Sequence, residues 1–380
     1  MPRWLASHSV KVLFINSRPD AMKQWGGDTT QMVETGRHLA ACGVQVEMPP
    51  DGRLTEGGYD LIHVFNIQTL AAQSDNYRGL LHTRKPIALS TVYWDLNLAL
   101  NQEDNLIYGE GTYFRLLAGF LPKTAVRLHR LRRAPAEKRL KRGQEAMLRK
   151  AVVILPNSVA ELEMLVAAFA YPQLRGKAVI VPNGVEVDDR SDAGKSDDGP
   201  QIPESCVLMV AAYNAFKGQA RLIQALMNDR EIPIVCVGPG LNHTRYGQHC
   251  RALAERRGNT HLFDAIPHVR MPRVYRRARV HALPSLRESP GLASLEAAIW
   301  GARCVVSCHA PISEYFGTDA WVCDPLDPAD LRSAVLRAWK APDNGNLRDR
   351  ILKEFTWQKA AEQTFRAYEY ALGTSVPSVP

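Results

Sequence analysis

The sequence PSLRESPGLASLEAA, residues 284–298, indicates more about the fold than any other part of the chain. The apolar run at 280–283 just before it predicts a buried strand, which Pro284-Ser285 ends. The turn at Pro290-Gly291 leads into a helical pattern that stops near Gly301. A strand, a loop and a helix in this order are typical of α/β folds with parallel sheets.

Two carboxylates flank the predicted start of this helix. Glu288 lies in the loop, and Glu296 lies just over one turn into the helix, on the same face as Leu292. The first N–H groups of a helix lack partners and lie at the positive end of its dipole, so a phosphate is favoured near Gly291. Gly291 also has no side chain to block a phosphate. Together these groups can hold a nucleoside diphosphate sugar.

The spacing of the two glutamates also carries a family resemblance. The pattern Pro-Ser-x-x-Glu-x-x-Gly-Leu-x-x-Leu-Glu-Ala, with seven residues between Glu288 and Glu296, resembles the donor-site motif of the retaining glycosyltransferases of family 4. A glutamate pair at this spacing is common by chance, whereas the complete pattern is much more specific. The alternative interpretation is an ordinary capped helix in a parallel sheet.

Length and composition predict a globular protein with more than one domain. The chain has 380 residues, 46% of them hydrophobic, which predicts two or three domains. It contains no run of about 18 apolar residues, so no membrane-spanning helix is expected. The first ten residues lack the apolar stretch of a signal peptide. The seven cysteines occur singly, which favours free thiols and a cytoplasmic location.

Short apolar runs alternate with helical patterns, and this alternation predicts parallel sheets covered on both faces. The first series of predicted strands lies at 12–16, 44–47, 60–65, 86–91 and 151–155. A second series lies at 178–182, 206–211, 232–237, 261–263, 280–283 and 304–307. We therefore expect two consecutive doubly wound units that bind ligands at the carboxyl ends of their strands.

The resemblance extends over nearly the whole chain and implies the GT-B fold, in which two Rossmann-like parallel-sheet domains face each other across a cleft. The other matching segments are Gly26-Gly27, residues 181–185, Phe216-Lys217-Gly218, residues 237–240 and residues 355–357. We predict an acceptor-side domain at 1–175, joined by a terminal helix at 357–372 that crosses back, and a donor-binding domain at 176–356. The stretch at 188–200 predicts a flexible loop, and 373–380 predicts a disordered tail.

The resemblance also implies roles at the donor site. Glu296 would accept hydrogen bonds from the ribose, Glu288 would orient the sugar or stabilise an oxocarbenium-like transition state, and Lys217 would neutralise the leaving diphosphate. The donor-binding residues implied are Gly27, Asn214, Lys217, Gly238, Glu288, Pro290, Gly291, Leu292 and Glu296. One position departs from the family. Ala212 stands where an Arg usually precedes the Lys by five residues, so half of the usual cationic pair is missing.

Four residues of the first domain are candidates for the acceptor side. His63 and Asn66 lie at the end of the third predicted strand, where a packed or capping role is an equal alternative. The family commonly has a His after the fourth strand, and here Trp94 and Asp95 occupy that region. We predict Asp95 as an acceptor-side base, and so as a catalytic residue beside Glu288 and Lys217. Trp94 is predicted to stack on a sugar ring.

No metal or other cofactor is expected. The chain contains no Asp-x-Asp, which metal-dependent glycosyltransferases of the other large fold use to hold a divalent cation on the diphosphate. Cys304 and Cys308 with His309 are better explained as ordinary strand and loop residues than as metal ligands, because no fourth ligand has suitable spacing. Lys217 and the helix start are therefore predicted to supply the electrostatic stabilisation.

The positive charge of the chain is concentrated in one segment. Residues 123–150 contain eleven Lys and Arg against two Glu, which accounts for the whole formal net charge of +8. Apolar residues are interleaved with these cations, which favours docking on an anionic membrane surface over a plain solvated helix face. The segment contains no Phe, Tyr or Trp for base stacking, so no nucleic-acid partner is expected.

These observations predict a retaining, metal-independent glycosyltransferase of the hexosyltransferase type. It would move a sugar from a nucleoside diphosphate sugar to a glycan or lipid-linked acceptor, in surface polysaccharide or lipopolysaccharide biosynthesis. We expect it in the cytoplasm, peripheral on the inner face of the membrane. Two alternatives stay open. One is a sugar-nucleotide epimerase of the same fold, and the other is a non-catalytic nucleotide-sugar-binding protein, which Ala212 and the missing family His favour.

Overall fold

The computed structural model describes residues 9–18, 20–23, 25–55, 57–70, 74–95, 120–186, 201–309, 311–342 and 345–373. The predicted loop at 188–200 and the predicted tail beyond Gly373 lie outside these residues. The described chain divides into two compact units. The first contains the described residues up to Asp95, Arg133–Gly184 and Phe355 onward, and the second contains Val185–Glu354 and the described part of Leu96–Arg132.

The first unit is built on a parallel sheet with the strand order β2-β1-β3-β4-β5. Its strands are β1 (Lys11–Asn16), β2 (Gln45–Glu47), β3 (Leu61–Phe65), β4 (Ile87–Ser90) and β5 (Val153–Leu155). Its helices are α1 (Gly27–Ala41), α2 (Asp75–His82), α3 (Pro122–Lys150), α4 (Val159–Phe169) and α12 (Trp357–Ala371). Helix α3 belongs to this unit from Arg133 onward. The three central strands are buried along almost their whole length because helices cover both faces of the sheet.

The second unit has a larger parallel sheet, with the order β11-β10-β9-β6-β7-β8. Its strands are β6 (Cys206–Val210), β7 (Ile234–Val237), β8 (Thr260–Phe263), β9 (Ala278–Leu283), β10 (Arg303–Ser307) and β11 (Trp321–Cys323). Its helices are α5 (Gln219–Ala225), α6 (Arg245–Arg257), α7 (Met271–Arg276), α8 (Leu292–Ile299), α9 (Ile312–Tyr315), α10 (Pro328–Lys340) and α11 (Asn346–Glu354). The expectation of two doubly wound parallel-sheet units is therefore confirmed.

One strand predicted from the sequence is wrong, and one strand of the structure was not predicted. Residues 178–182 form no named strand, because this stretch makes only one isolated bridge, between Ala178 and Ile154 at the edge of β5. Strand β11 is absent from the predicted strands, although residues 320–323 are all apolar. It is only three residues long and lies at the outer edge of the sheet, where Val322 is 39% exposed. Both stretches lie at the edges of sheets, where an apolar run does not by itself determine whether the chain pairs as a strand.

The terminal helix α12 packs against α1 and against the ends of β4 and β5, all within the first unit. Its N-cap Thr356 accepts a hydrogen bond from the backbone N–H of Lys359, which satisfies a donor at the helix start. In the described part of the chain, no helix is both long and apolar enough to cross a membrane.

Candidate functional site

The loop after β6 presents Lys217 at the carboxyl edge of the second sheet. The backbone N–H of Lys217 donates to the side-chain oxygen of Asn214 at 3.0 Å and to its carbonyl oxygen at 3.1 Å, which closes a tight turn. Gly218 follows with φ +92° and begins helix α5. A Cβ atom at this position would lie 2.7 Å from the carbonyl oxygen of Pro284, so only glycine fits between the two loops.

The loop after β9 brings Glu288 to the same place. The N–H of Leu286 donates to the carbonyl oxygen of Phe216 at 2.8 Å, which ties the two loops together. The ammonium group of Lys217 then lies 2.6 Å and 2.9 Å from the two carboxylate oxygens of Glu288. Because the Glu288 side chain is only 12% exposed, this ion pair is partly shielded from water.

Gly291 holds Glu288 against the start of helix α8. Its φ is +90°, and a Cβ atom there would lie 2.9 Å from Cγ of Glu288 and 3.0 Å from a methyl carbon of Leu283. Pro290 is buried beside it, and Leu292 opens the helix. The sequence predicts that the two carboxylates lie near the helix start. In the structure, Glu288 lies in the loop before α8, and Glu296 lies within α8.

Glu296 is held by two aromatic side chains. The hydroxyl of Tyr275 donates to one carboxylate oxygen at 2.6 Å, and a ring nitrogen of His268 lies 3.7 Å from the other. Burial, together with the charge of Glu296, raises the pKa of Tyr275 well above its ordinary value, so this hydroxyl stays a donor. The carboxylate of Glu296 is therefore fixed in position while part of it remains accessible.

At Gly238, the chain that leaves strand β7 passes close to the backbone that leaves strand β6. Gly238 follows β7 with φ +159°, and a Cβ atom there would lie 2.0 Å from the carbonyl oxygen of Ala211. Ala212, the residue after Ala211, is uncharged, whereas the family resemblance predicts an Arg at this position.

Two arginines that the sequence analysis did not select lie beside the Lys217 loop. Arg287 stacks its guanidinium 5.6 Å from the ring centre of Phe216, and burial lowers its pKa, opposed by the neighbouring charge of Glu288. Arg221 donates to the carbonyl oxygens of Ala215 at 2.8 Å and Phe216 at 3.4 Å, so it braces the loop. Arg287 lies inside the 284–298 motif, and this position in the sequence marks it as a candidate for the donor site.

His63, a predicted acceptor-side residue, is a core residue of the first unit. It occupies the middle of β3 rather than its end, so the predicted position at the strand end is wrong. Its ring nitrogens lie 2.7 Å from the Tyr368 hydroxyl and 2.9 Å from the Ser90 hydroxyl. Burial lowers the pKa of His63 to about 3, which keeps the ring neutral. This geometry favours the packed role that the sequence left as an alternative.

Asn66 belongs to a polar network at the carboxyl ends of β1 and β3. Its amide donates to the carboxylate of Asp28 at 3.0 Å, and Arg18 donates to both oxygens of the same carboxylate. Burial alone would raise the pKa of Asp28, yet the hydrogen bonds from Arg18 and Asn66 hold it below its ordinary value. Gly27, the first residue of α1, is exposed next to this network.

Trp94 and Asp95 lie in a loop that a buried carboxylate organises. Glu161, which is fully buried, accepts the N–H of Tyr93 at 2.7 Å and also the hydroxyl of Thr91. The N–H of Trp94 donates to Gln68 at 2.9 Å, which leaves the indole half-buried and Asp95 exposed. Glu161 is not among the residues predicted from the sequence, although the spacing Ser158-x-x-Glu161 is a helix-start signal that marks it.

Sequence comparison matches residues 204–341 to the family described as Glycosyl transferases group 1. The phosphatidyl-myo-inositol mannosyltransferases of Mycobacterium tuberculosis and Mycobacterium bovis are 27% identical to this chain over 216 residues. That alignment covers 53% of this chain and 56% of the relatives, so the match spans just over half their length.

Solved structures resemble almost the whole chain. Sucrose-phosphate synthase from Thermosynechococcus elongatus matches with a TM-score of 0.63 at 17% identity, over 97% of this chain and 100% of that protein. A Rickettsia africae glycosyltransferase matches with a TM-score of 0.64 at 11% identity and the same coverage. Anabaena HepE in complex with UDP matches with a TM-score of 0.61 at 14% identity, over 95% of this chain and 100% of that protein. The structural likenesses show that the fold is GT-B, and the group 1 match at residues 204–341, with the mannosyltransferase relatives, supports a glycosyltransferase.

Proposed function

We propose that this chain is a retaining glycosyltransferase that moves a sugar from a nucleoside diphosphate sugar to a glycan or lipid-linked acceptor. The observation that carries the proposal is the grouping of Lys217, Glu288 and the start of α8 on two loops that are hydrogen-bonded to each other. This grouping offers a cation and free helix N–H groups to a diphosphate, and a carboxylate to a sugar.

The proposed reaction breaks the bond between the anomeric carbon and the diphosphate oxygen. Lys217 and the N–H groups at Gly291 and Leu292 would take up the charge that develops on the leaving diphosphate. Glu288, released from Lys217 when the phosphate binds, would face the electron-poor sugar ring, while Glu296 would hold the ribose. The acceptor hydroxyl bonds to the anomeric carbon, and Asp95 is the proposed base that takes its proton. No step in this scheme requires a metal ion.

A lipid-linked acceptor is favoured by the relatives and by the charge of α3. The relatives' name includes phosphatidyl-myo-inositol, which is a lipid. We therefore favour glycolipid synthesis, and we keep surface polysaccharide or lipopolysaccharide assembly as the wider class. The proposed place of action is the cytoplasmic face of a membrane.

Binding of a nucleoside diphosphate is the first expected result. Among UDP, GDP, ADP, dTDP and CDP, we expect one to raise the melting temperature, because a ligand at 100 times its Kd stabilises the folded state by about 2.7 kcal/mol. Glu296→Ala should lose most of this shift. The control is Glu255→Ala, which removes an exposed carboxylate from α6 in the same unit and should keep it.

The same assay separates the alternatives. Binding without any transfer to a panel of glycan and lipid acceptors would favour a non-catalytic nucleotide-sugar-binding protein. An altered sugar nucleotide or free sugar that forms without an acceptor would favour the epimerase. No shift with any nucleotide would contradict the proposed donor site.

We also propose that helix α3 docks on an anionic membrane surface. All of its eleven Lys and Arg except Arg133 and Lys150 are exposed. Apolar side chains accompany them, with Phe120 83% exposed just before the helix and Leu131 62% exposed within it. Exposed apolar groups among cations are typical of helices that lie in the headgroup region of a bilayer.

Removal of three cations from α3 should weaken vesicle binding about 100-fold, since each contributes about 1 kcal/mol near an anionic surface. The variant is Arg127→Gln/Arg130→Gln/Lys138→Gln. The control removes three exposed cations elsewhere, as Arg53→Gln/Arg84→Gln/Lys340→Gln. Binding is measured by sedimentation with vesicles of phosphatidylcholine, with and without phosphatidylglycerol. Equal loss in both variants, or equal binding to neutral vesicles, would contradict docking through α3.

A further inference from the structure

Three metal-ligating side chains meet at the carboxyl edge of the second sheet. Cys308 and His309 directly follow β10, and Asp324 directly follows β11. A thiol sulfur, an imidazole nitrogen and a carboxylate oxygen from these residues all lie within 4.8 Å of one another. None of the three is among the residues of the proposed donor site.

The backbone explains why these residues converge. The parallel register pairs Ser307 with Cys323, and the N–H of Cys308 donates to the carbonyl oxygen of Cys323 at 2.9 Å. Cys308 and Asp324 therefore leave the two strands at the same level. The N–H of His309 donates to the hydroxyl of Ser307 at 3.1 Å, which folds the chain back toward the same point.

The Asp324 carboxylate is also held in place. It accepts the backbone N–H of Leu326 at 2.8 Å. The backbone N–H of Asp324 donates to the carboxylate of Asp330 at 2.7 Å. The cluster thus sits in a region of negative charge that favours a cation. The ligand geometry is set by backbone hydrogen bonds rather than by long flexible side chains.

The imidazole of His309 gives an independent indication. Its Nε2 atom is buried and has no hydrogen-bond partner among the residues that the structure describes. A buried polar nitrogen without a partner is unfavourable, and such groups in proteins usually face a water, an ion or a ligand. A metal ion bound at the cluster would satisfy one imidazole nitrogen and fix the ring.

We propose that Cys308, His309 and Asp324 bind a Zn²⁺ ion. Thiolate and imidazole ligands suit Zn²⁺, whereas Mg²⁺ and Ca²⁺ prefer oxygen ligands alone. Three protein ligands leave the fourth tetrahedral position for water. Ligand atoms around Zn²⁺ lie about 3.5 Å apart, so small side-chain rotations close the site. The Cys308 thiol releases its proton to the buffer when the metal binds.

The ion would join the ends of β10 and β11 and so stabilise the outer part of the second sheet. Its role would be structural, and the prediction of metal-independent donor binding is unaffected. Spacing in the sequence places Cys304 with Cys308 and His309 and indicates no fourth ligand. Cys304 is in fact buried elsewhere, with its thiol against the carbonyl oxygen of Ser294 at 3.3 Å. The third ligand, Asp324, comes from a strand that the sequence did not reveal.

Cobalt(II) titration of the metal-free full chain, with Zn²⁺ in competition, tests the site. We expect one Co²⁺ per chain, a thiolate-to-cobalt charge-transfer band and the strong visible absorption of tetrahedral cobalt, both abolished by one equivalent of Zn²⁺. Cys308→Ser should abolish the thiolate band, and Asp324→Asn should weaken binding about tenfold or more. Zn²⁺ should raise the melting temperature of the wild type more than that of Cys308→Ser or Asp324→Asn.

Cys42→Ser is the thiol control, because Cys42 is a half-exposed cysteine of the first unit. This variant should keep the charge-transfer band and the Zn²⁺ affinity of the wild type. Absence of a thiolate band in the wild type would overturn the proposal. So would a Zn²⁺ affinity that is unchanged in both Cys308→Ser and Asp324→Asn, since the metal would then bind elsewhere.

Discussion

Lys217→Ala is expected to lower kcat/KM for the sugar nucleotide by about 100- to 1,000-fold, the usual loss when one preorganised charge-stabilising group is removed. The backbone of Lys217 is fixed in a turn by Asn214 on the loop that joins β6 to α5, and the ammonium group contacts the carboxylate of Glu288. Its contact would strengthen as the diphosphate leaves, so most of the loss should appear in kcat. The measurement is steady-state transfer with the donor identified by the nucleotide screen.

The ion pair with Glu288 complicates this result, and a double variant resolves it. Removal of Lys217 leaves a carboxylate that is only 12% exposed without its cation, which could impair the site indirectly. If Lys217 served only to neutralise Glu288, Lys217→Ala/Glu288→Gln would recover activity relative to Lys217→Ala. We expect no recovery, because both groups act on the donor.

Lys340→Ala is the matched control. Lys340 is an exposed lysine at the end of α10 in the same unit, so its loss changes the net charge equally. Its kcat/KM should stay at the wild-type value. Wild-type turnover by Lys217→Ala would contradict the proposed role of the ammonium group and favour Arg287, which also lies beside Glu288, as the main cation of the site.

The central strands could be predicted because burial determines their composition. Strands β1, β3 and β6 are covered on both faces, and their sequences are nearly continuous apolar runs. At the sheet edges this rule fails. The apolar stretch at 178–182 runs beside β5 with only one bridge, and β11 forms with Val322 facing solvent. At the edges of a sheet, the local composition of the chain indicates neither whether a stretch pairs as a strand nor which strand it lies beside.

The motif residues of the donor site could be predicted, but their contacts could not. Glu288 and Glu296 share one loop and helix, so their spacing in the sequence reflects their spacing in the structure. The contact between Lys217 and Glu288 depends on β6 lying next to β9 in the sheet. Strands β7 and β8 separate these two in the sequence, so no local pattern reveals that they are neighbours.

Arg257→Met is expected to destabilise the second unit by about 3–5 kcal/mol, which is the range for breaking a buried charged network. Arg257 ends α6 and is fully buried, and burial lowers its pKa, opposed by the charge of Asp229. Its guanidinium donates to the carbonyl oxygens of Leu226 at 2.8 Å, Asp229 at 2.6 Å and Ile232 at 2.8 Å. It also donates to the carbonyl oxygens of Gly258 and Asn259 and to the hydroxyl of Thr260.

A buried ion pair can often be replaced by apolar residues without loss of stability, but this site differs because the partners are backbone carbonyls. A substitution of the arginine leaves these carbonyl groups in place, so Arg257→Met leaves several buried acceptors unsatisfied. For a unit of this size we expect the calorimetric transition to fall by about 6–20 °C. Arg256→Met, an exposed neighbour on the same helix, should change the transition little. Equal stability of the two variants would mean that water satisfies the carbonyls, and that Arg257 does not hold the turn at 226–232 against the start of β8.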